Sequence, residues 1–144
     1  MKILLVSDNH GDILTLRKIV QENPNVDVYL HCGDSELSED EIRPFLSVKG
    51  NCDHFSTFKN QIIFDTSIGK MMMRHSPYLS DYEKDNHDIK IYLHGHTHIK
   101  RFEKINDVYH INPGSTSRPR DDYQGSYAIV EIIDNNINVE FKFI

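Results

Sequence analysis

Residues 2–10 read KILLVSDNH. Ile3-Leu4-Leu5-Val6 is the core of a continuous apolar run over Lys2–Ser7, the pattern of a strand covered on both faces, and the turn Asp8–Gly11 breaks it. A helical pattern starts at Asp12, an N-cap residue, with Ile13, Leu16, Ile19 and Val20 on one face. Asn23-Pro24-Asn25 stops that helix, and Val26–His31 is a second buried strand ending at Cys32-Gly33-Asp34. Strand, helix and strand in this order open an α/β sheet.

Further along, Ser38 and Glu41 have capping-box spacing for a short helix that Pro44 keeps brief or irregular. Leu46–Lys49 is a third short strand ending at Gly50-Asn51. The pattern then becomes antiparallel. Gln61–Asp65 and Lys70–Arg74 form a hairpin around Thr66-Ser67-Ile68-Gly69. Lys100–Ile105 and Val108–Ile111 flank Asn106-Asp107, and Ser126–Ile133 and Ile137–Phe143 flank Asn135-Asn136. Ile137, Val139, Phe141 and Phe143 alternate with polar residues, as in a half-buried strand. Asp88–Leu93 is a further strand, whereas Tyr78–His87 is polar without a clear amphipathic pattern. No linker or repeat divides the 144 residues, so one domain over 1–144 is expected.

The composition is that of a globular protein, 38% hydrophobic and 26% charged. No apolar run is long enough for a signal-peptide core or a membrane span, which makes a cytoplasmic location the expectation. A net charge of −6 argues against broad binding to extended nucleic acid, which takes many Lys or Arg at phosphates. It leaves room for a small phosphate ester or nucleotide at a locally positive site. Cys32 and Cys52 lack Cys-x-x-Cys spacing, and packing is the expected role of Cys32. Met71-Met72-Met73 reads as a strand filling the core, and Glu36, Glu39, Asp40 and Glu41 as a solvated segment.

Nine histidines in this length make metal binding worth testing. Five short motifs stand directly after predicted strands: Asp8-Asn9-His10, Gly33-Asp34, Gly50-Asn51-Cys52-Asp53, His75 and Gly95-His96-Thr97-His98. Sites in open α/β sheets form beyond the carboxyl ends of the strands, so these loops can converge. Alone, each has an ordinary reading. Asp8 serves as a cap, Gly33-Asp34 and Gly50-Asn51 as turns, and His75 as a half-buried histidine. His96 and His98, flanking one small residue after an apolar strand, are the most specific local signal. Together the motifs supply two Asp, four His and one Asn, enough for two divalent cations.

In this order the motifs resemble those of the calcineurin-like metallophosphoesterases, and most closely the small YfcE-type phosphodiesterase branch. Asn112-Pro113-Gly114-Ser115 and Arg118-Pro119-Arg120 also fit that branch. The resemblance implies a four-layer αββα sandwich of two mixed sheets flanked by helices. It implies one metal at Asp8, His10, Asp34 and His98 and a second at Asp34, Asn51, His75 and His96, with Asp34 shared. Asp34, Asn51 and His75 would serve catalysis, and Asn51, Arg118 and Arg120 would bind the substrate. Mn²⁺ is the expected ion, with Fe, Ni or Zn as alternatives. The chain departs from the family at Ser76-Pro77, where Gly-His is usual, at Arg74, and in the short interval of 21 residues from His75 to His96.

The implied reaction is hydrolysis of a small phosphodiester or nucleotide by a metal-bridging hydroxide, without a covalent intermediate. Cys52 stands where related phosphatases have a histidine that assists the leaving group, which favours diesters over alkyl monoesters. A scaffold or binding module of the same fold and a small nuclease are the competing readings. The intact ligand set speaks against the first, and the lack of a basic stripe against the second. A homo-oligomer is compatible with the sequence, and no membrane partner is expected.

Overall fold

A computed structural model describes residues 1–144. The chain forms two five-stranded mixed sheets packed face to face. The first comprises β1 (Lys2–Val6), β2 (Val28–His31), β3 (Leu46–Ser47), β9 (Ser126–Ile133) and β10 (Asn136–Phe143), in the order β10-β9-β1-β2-β3. The second comprises β4 (Gln61–Thr66), β5 (Gly69–Arg74), β6 (Ile89–Leu93), β7 (Arg101–Ile105) and β8 (Val108–Asn112), in the order β4-β5-β6-β8-β7. Two helices, α1 (Ile13–Glu22) and α2 (Asp81–His87), complete the element list.

The alternation along β1 decides the layering. Ile3 and Leu5 point into the inter-sheet core with Leu30, Cys32, Met71, Met73, Ile91 and Leu93. Leu4 and Val6 point outward against Leu16 and Ile19 of α1, with Ile42 and Phe45 beside them. Burying each such side chain stabilises the fold by roughly 1.5–3 kcal/mol. The middle methionine, Met72, faces away from the inter-sheet core and packs with Ile89, Tyr92 and Val108 on the outer face of the second sheet. Two apolar faces per central strand therefore account for the unbroken hydrophobic runs.

The expected helix–sheet–sheet–helix sandwich is present, with unequal outer layers. Asp12 caps α1 as expected, its carboxylate accepting the Thr15 N–H at 3.1 Å. Over the second sheet lies only the seven-residue α2, which buries none of its side chains. The polar stretch Tyr78–His87 concealed this helix from periodicity. Its detectable signal is the capping box, in which Ser80 and Glu83 bond reciprocally. Ser38 and Glu41 make the same reciprocal bonds, yet the chain closes only turns there, because Pro44 has no N–H with which to continue a helix. The predicted strand at Leu46–Lys49 shrinks to two residues, and Val48 instead bridges Lys59 in parallel.

One topological fact positions the site. Strands β1, β2 and β3 pair in parallel in one sheet, and β5, β6 and β8 in the other. The loops leaving the carboxyl ends of these six strands carry every motif singled out in the sequence. No helix is long and apolar enough to cross a membrane.

Candidate metal centre

Five of the seven candidate ligands are aimed by a sharp turn after their strand. Asp8, His10, Asp34, His96 and His98 all have positive φ, between 45° and 71°. The left-handed conformation costs a non-glycine residue roughly 1–2 kcal/mol, and such strain concentrates at functional sites. Two glycines make the close approach possible. A Cβ at Gly50 would run into the Asp34 carboxylate and backbone, and one at Gly95 into Ser7 and Asp8. The Gly-Asn and Gly-His pairs thus clear space for the two aspartates.

The seven candidate ligands fall into two adjoining groups. In the first, Asp8 Oδ1 lies 3.2 Å from His98 Nε2 and 3.9 Å from His10 Nε2, and the two imidazole nitrogens are 3.3 Å apart. In the second, Asn51 Oδ1 lies 2.9 Å from His75 Nε2 and 3.1 Å from His96 Nδ1. His75 Nε2 is also 3.2 Å from Asp34 Oδ2 and 3.9 Å from Asp8 Oδ1. Asp8 Oδ1 thus faces both groups, while Asp34 joins the second and lines the cleft of about 810 Å³ that His10 and His98 also line. Arg118 and Arg120 line the same cleft, both exposed.

The donor chemistry fits cations. Asp8 Oδ1 is buried without any hydrogen-bond partner, although imidazole nitrogens surround it. A buried carboxylate oxygen left so is costly unless a cation compensates it. Asp8, His10 and His98 could hold one ion, as could Asp8, Asp34 and His75. The remaining ring nitrogens are already committed. His75 Nδ1 lies 2.7 Å from the Cys32 carbonyl and His98 Nδ1 2.7 Å from that of Arg118. Each Nδ1–H donates there, which leaves Nε2 as the ring nitrogen turned toward the site. His10 Nδ1 pairs with Glu36 at 2.8 Å to the same effect.

Electrostatics agree. Burial alone pushes the Asp34 carboxyl up, but bonds from His75 and the Cys52 amide outweigh it and bring it down to about 2. Burial pulls His75 down, while the facing carboxylates of Asp34 and Asp8 raise it above its usual value. The Cys52 thiol is pushed up, by burial first and then by Asp34.

Several organising residues carry no role in the sequence reading. Asp53 accepts three backbone N–H groups, from Asp34, Gly50 and Glu36. Asn112 donates to the Gly95 carbonyl at 3.1 Å and to Thr97 Oγ1 at 3.0 Å, which braces the His96/His98 turn. Ser115 Oγ donates to the Asp8 carbonyl at 2.8 Å. His31 is fully buried and bonded to Asn9 Oδ1 at 2.8 Å. The first three were visible as members of motifs, but their function depends on which loops lie opposite.

Comparison with known proteins agrees with this geometry. The chain is 31% identical to the probable metallophosphoesterase YsnB of Bacillus subtilis, with 98% of this chain and 90% of that protein covered. It is 28% identical to a phosphodiesterase of Methanocaldococcus jannaschii, over 79% of this chain and 83% of that one. Among solved structures, a conserved uncharacterised protein of Streptococcus pneumoniae TIGR4, described as a predicted phosphoesterase, superposes with a TM-score of 0.88 at 29% identity. The superposition covers 99% of this chain and 88% of that one. Residues 1–135 match the family model of the calcineurin-like phosphoesterase superfamily domain, and the chain belongs to that superfamily.

Proposed function

We propose that the chain is a metal-dependent phosphodiesterase that hydrolyses a small phosphodiester or nucleotide. Asp8, His10, Asp34 and His98 would hold one divalent cation, and Asp34, Asn51, His75 and His96 a second. The observation that carries this reading is the buried, partnerless Asp8 Oδ1 facing imidazole nitrogens. Mn²⁺ is the favoured ion, with Fe, Ni or Zn as alternatives, since mixed N/O donors accept all of them. Bound there, the cations supply Lewis acidity toward phosphate oxygens and a water of strongly lowered pKa.

The residues of the chain do the remaining work. With Nδ1 committed to the Cys32 and Arg118 carbonyls, Nε2 is the nitrogen that His75 and His98 would offer to a cation. Asp34 stays ionised, its Oδ1 held by the Cys52 N–H at 2.7 Å. Arg118 and Arg120 line the cleft without carboxylate partners and are suited to a phosphate. Cys52, its thiol pushed up, is a poor proton donor to an alkoxide and a poor thiolate nucleophile, which favours direct hydrolysis of esters with good leaving groups. The relative named as a phosphodiesterase supports the same preference.

The test is turnover of bis-p-nitrophenyl phosphate against an alkyl monophosphate, with Mn²⁺ added and Asp34→Asn as control. Diester hydrolysis that exceeds monoester hydrolysis and is lost in the control is expected. Faster monoester turnover would overturn the diester preference, and no turnover with any of the four metals would overturn the enzyme reading.

A further inference from the structure

A second cleft opens on the same centre. Asn51 and His96 line both clefts, so the two meet at the candidate metal ligands. The second, of about 780 Å³, is lined further by Lys49, His54, Asn60, Arg74 and Ser76, and no large apolar side chain enters it. Its side chains offer hydrogen-bonding groups and charge.

Its charges are mostly committed. The Asp53 carboxylate is turned onto three backbone N–H groups. The Arg74 guanidinium is paired with Glu83 and bonded to the Tyr78 carbonyl and the Tyr92 hydroxyl. Lys49 alone is left over. It is half-buried, and no carboxylate lies within 4.0 Å of its ammonium. Ten of the 16 Lys and Arg in the chain do have such a partner. The cations without such a partner are Arg17, Lys49, Lys59, Arg118, Arg120 and Lys142, and three of these line the two clefts. An ammonium without a carboxylate partner on the wall of a polar cleft is suited to an anion supplied from outside.

From this we infer that the Lys49 cleft is an anion subsite for a second, non-reacting phosphate. The substrate is then a nucleotide-type phosphodiester carrying a further phosphate beyond the scissile one. Lys49 Nζ takes the distal phosphate, with His54, Asn60 and Ser76 as hydrogen-bonding partners for its oxygens and the neighbouring sugar. The substrate assignment rests on the phosphodiesterase reading. The subsite does not.

The two are separated by measuring binding as well as turnover. Calorimetry compares adenosine 3′,5′-bisphosphate with adenosine 5′-monophosphate, on metal-free and Mn²⁺-loaded protein. The bisphosphate is expected to bind about tenfold tighter, the size of one charge-assisted hydrogen bond. Lys49→Met, which keeps the apolar stem, should bring the ratio near one, and Lys49→Arg should retain most of it. Thermal melts of both variants report folding. Equal affinities in the wild type, no binding of either nucleotide, or a ratio that survives Lys49→Met but is lost in Arg120→Met would each overturn the subsite. A ratio that depends on Lys49 without any bis-p-nitrophenyl phosphate hydrolysis would uphold the subsite and defeat the enzyme reading.

Discussion

The Asp53 carboxylate accepts the backbone N–H of Asp34 at 2.8 Å. It also takes the N–H of Gly50 at 2.7 Å and that of Glu36 at 2.9 Å. One buried side chain therefore ties the loop after β2 to the loop after β3 and sets where Asp34 and Asn51 stand relative to each other. Asp53→Ala would strand these donors and is expected to cost about 2–4 kcal/mol in urea unfolding. Metal content should fall with it, while Asp53→Asn retains part of both. Unchanged stability in the alanine variant would show that the clamp holds nothing.

Asp8 gives a test that isolates the cations. Its Oδ1 is buried and partnerless, and its Oδ2 accepts the Ser7 hydroxyl and the His96 N–H. Mn²⁺ at a hundredfold excess over its Kd should stabilise the wild type by ~2.7 kcal/mol, and chelator should reverse this. Asp8→Asn should lose that metal-dependent shift in a thermal melt. A metal response retained in the variant would exclude Asp8 as a ligand.

His31 makes the fold sensitive to acid. Gly33 N–H donates to its Nδ1 at 3.0 Å, so its proton sits on Nε2 and points at Asn9 Oδ1. Burial, reinforced by His75, pulls its pKa down to about 3 from the usual 6.5. The unfolded chain binds this proton near pH 6.5 and the folded one only near 3. Stability is therefore complete above 6.5 and falls as the pH drops through that window. His31→Leu should flatten the pH dependence between 6.5 and 3 by about one proton, and cost about 2–4 kcal/mol at pH 7 through the stranded Gly33 and Asn9 groups. An identical slope in urea melts of the two proteins would count against this assignment.

Arg74 and Glu83 tie α2 to the wall of the second cleft. Arg74 pairs with Glu83, and Tyr92, which Arg74 also contacts, donates its hydroxyl to the Ser76 carbonyl at 2.6 Å. The bond from Arg74 brings the Glu83 carboxyl down to about 2 from its ordinary 4.5. Its contribution is present above 4.5 and is lost as the pH falls through about 2. Glu83→Gln should therefore lose about 1 kcal/mol at neutral pH, a modest figure because the pair is partly exposed. The difference from wild type should close below pH 4.5, and melts at pH 7 and pH 2.5 would decide it.

Much of the framework could be read from the chain. Strand β1 announced itself by an apolar run, α1 by Asp12 and its spaced apolar residues, and the hairpins by turn residues between β-rich segments. Metal-ligand chemistry was legible as well, because motif order and residue type survive in one dimension. Helix α2 was not legible from periodicity, since it buries nothing and stands on a cap and an ion pair.

What the linear order determined was which residues could bind a cation and which strands would carry them, because hydrophobic period and donor type are local properties. Only the tertiary structure decided that Asp8 meets His98 and that His75 meets Asn51. It also decided that Asp53 serves as a clamp and that Lys49 is left without a counter-charge. These are relations between loops far apart in sequence, and they exist only because six parallel strands, three from each sheet, end at one edge of the sandwich.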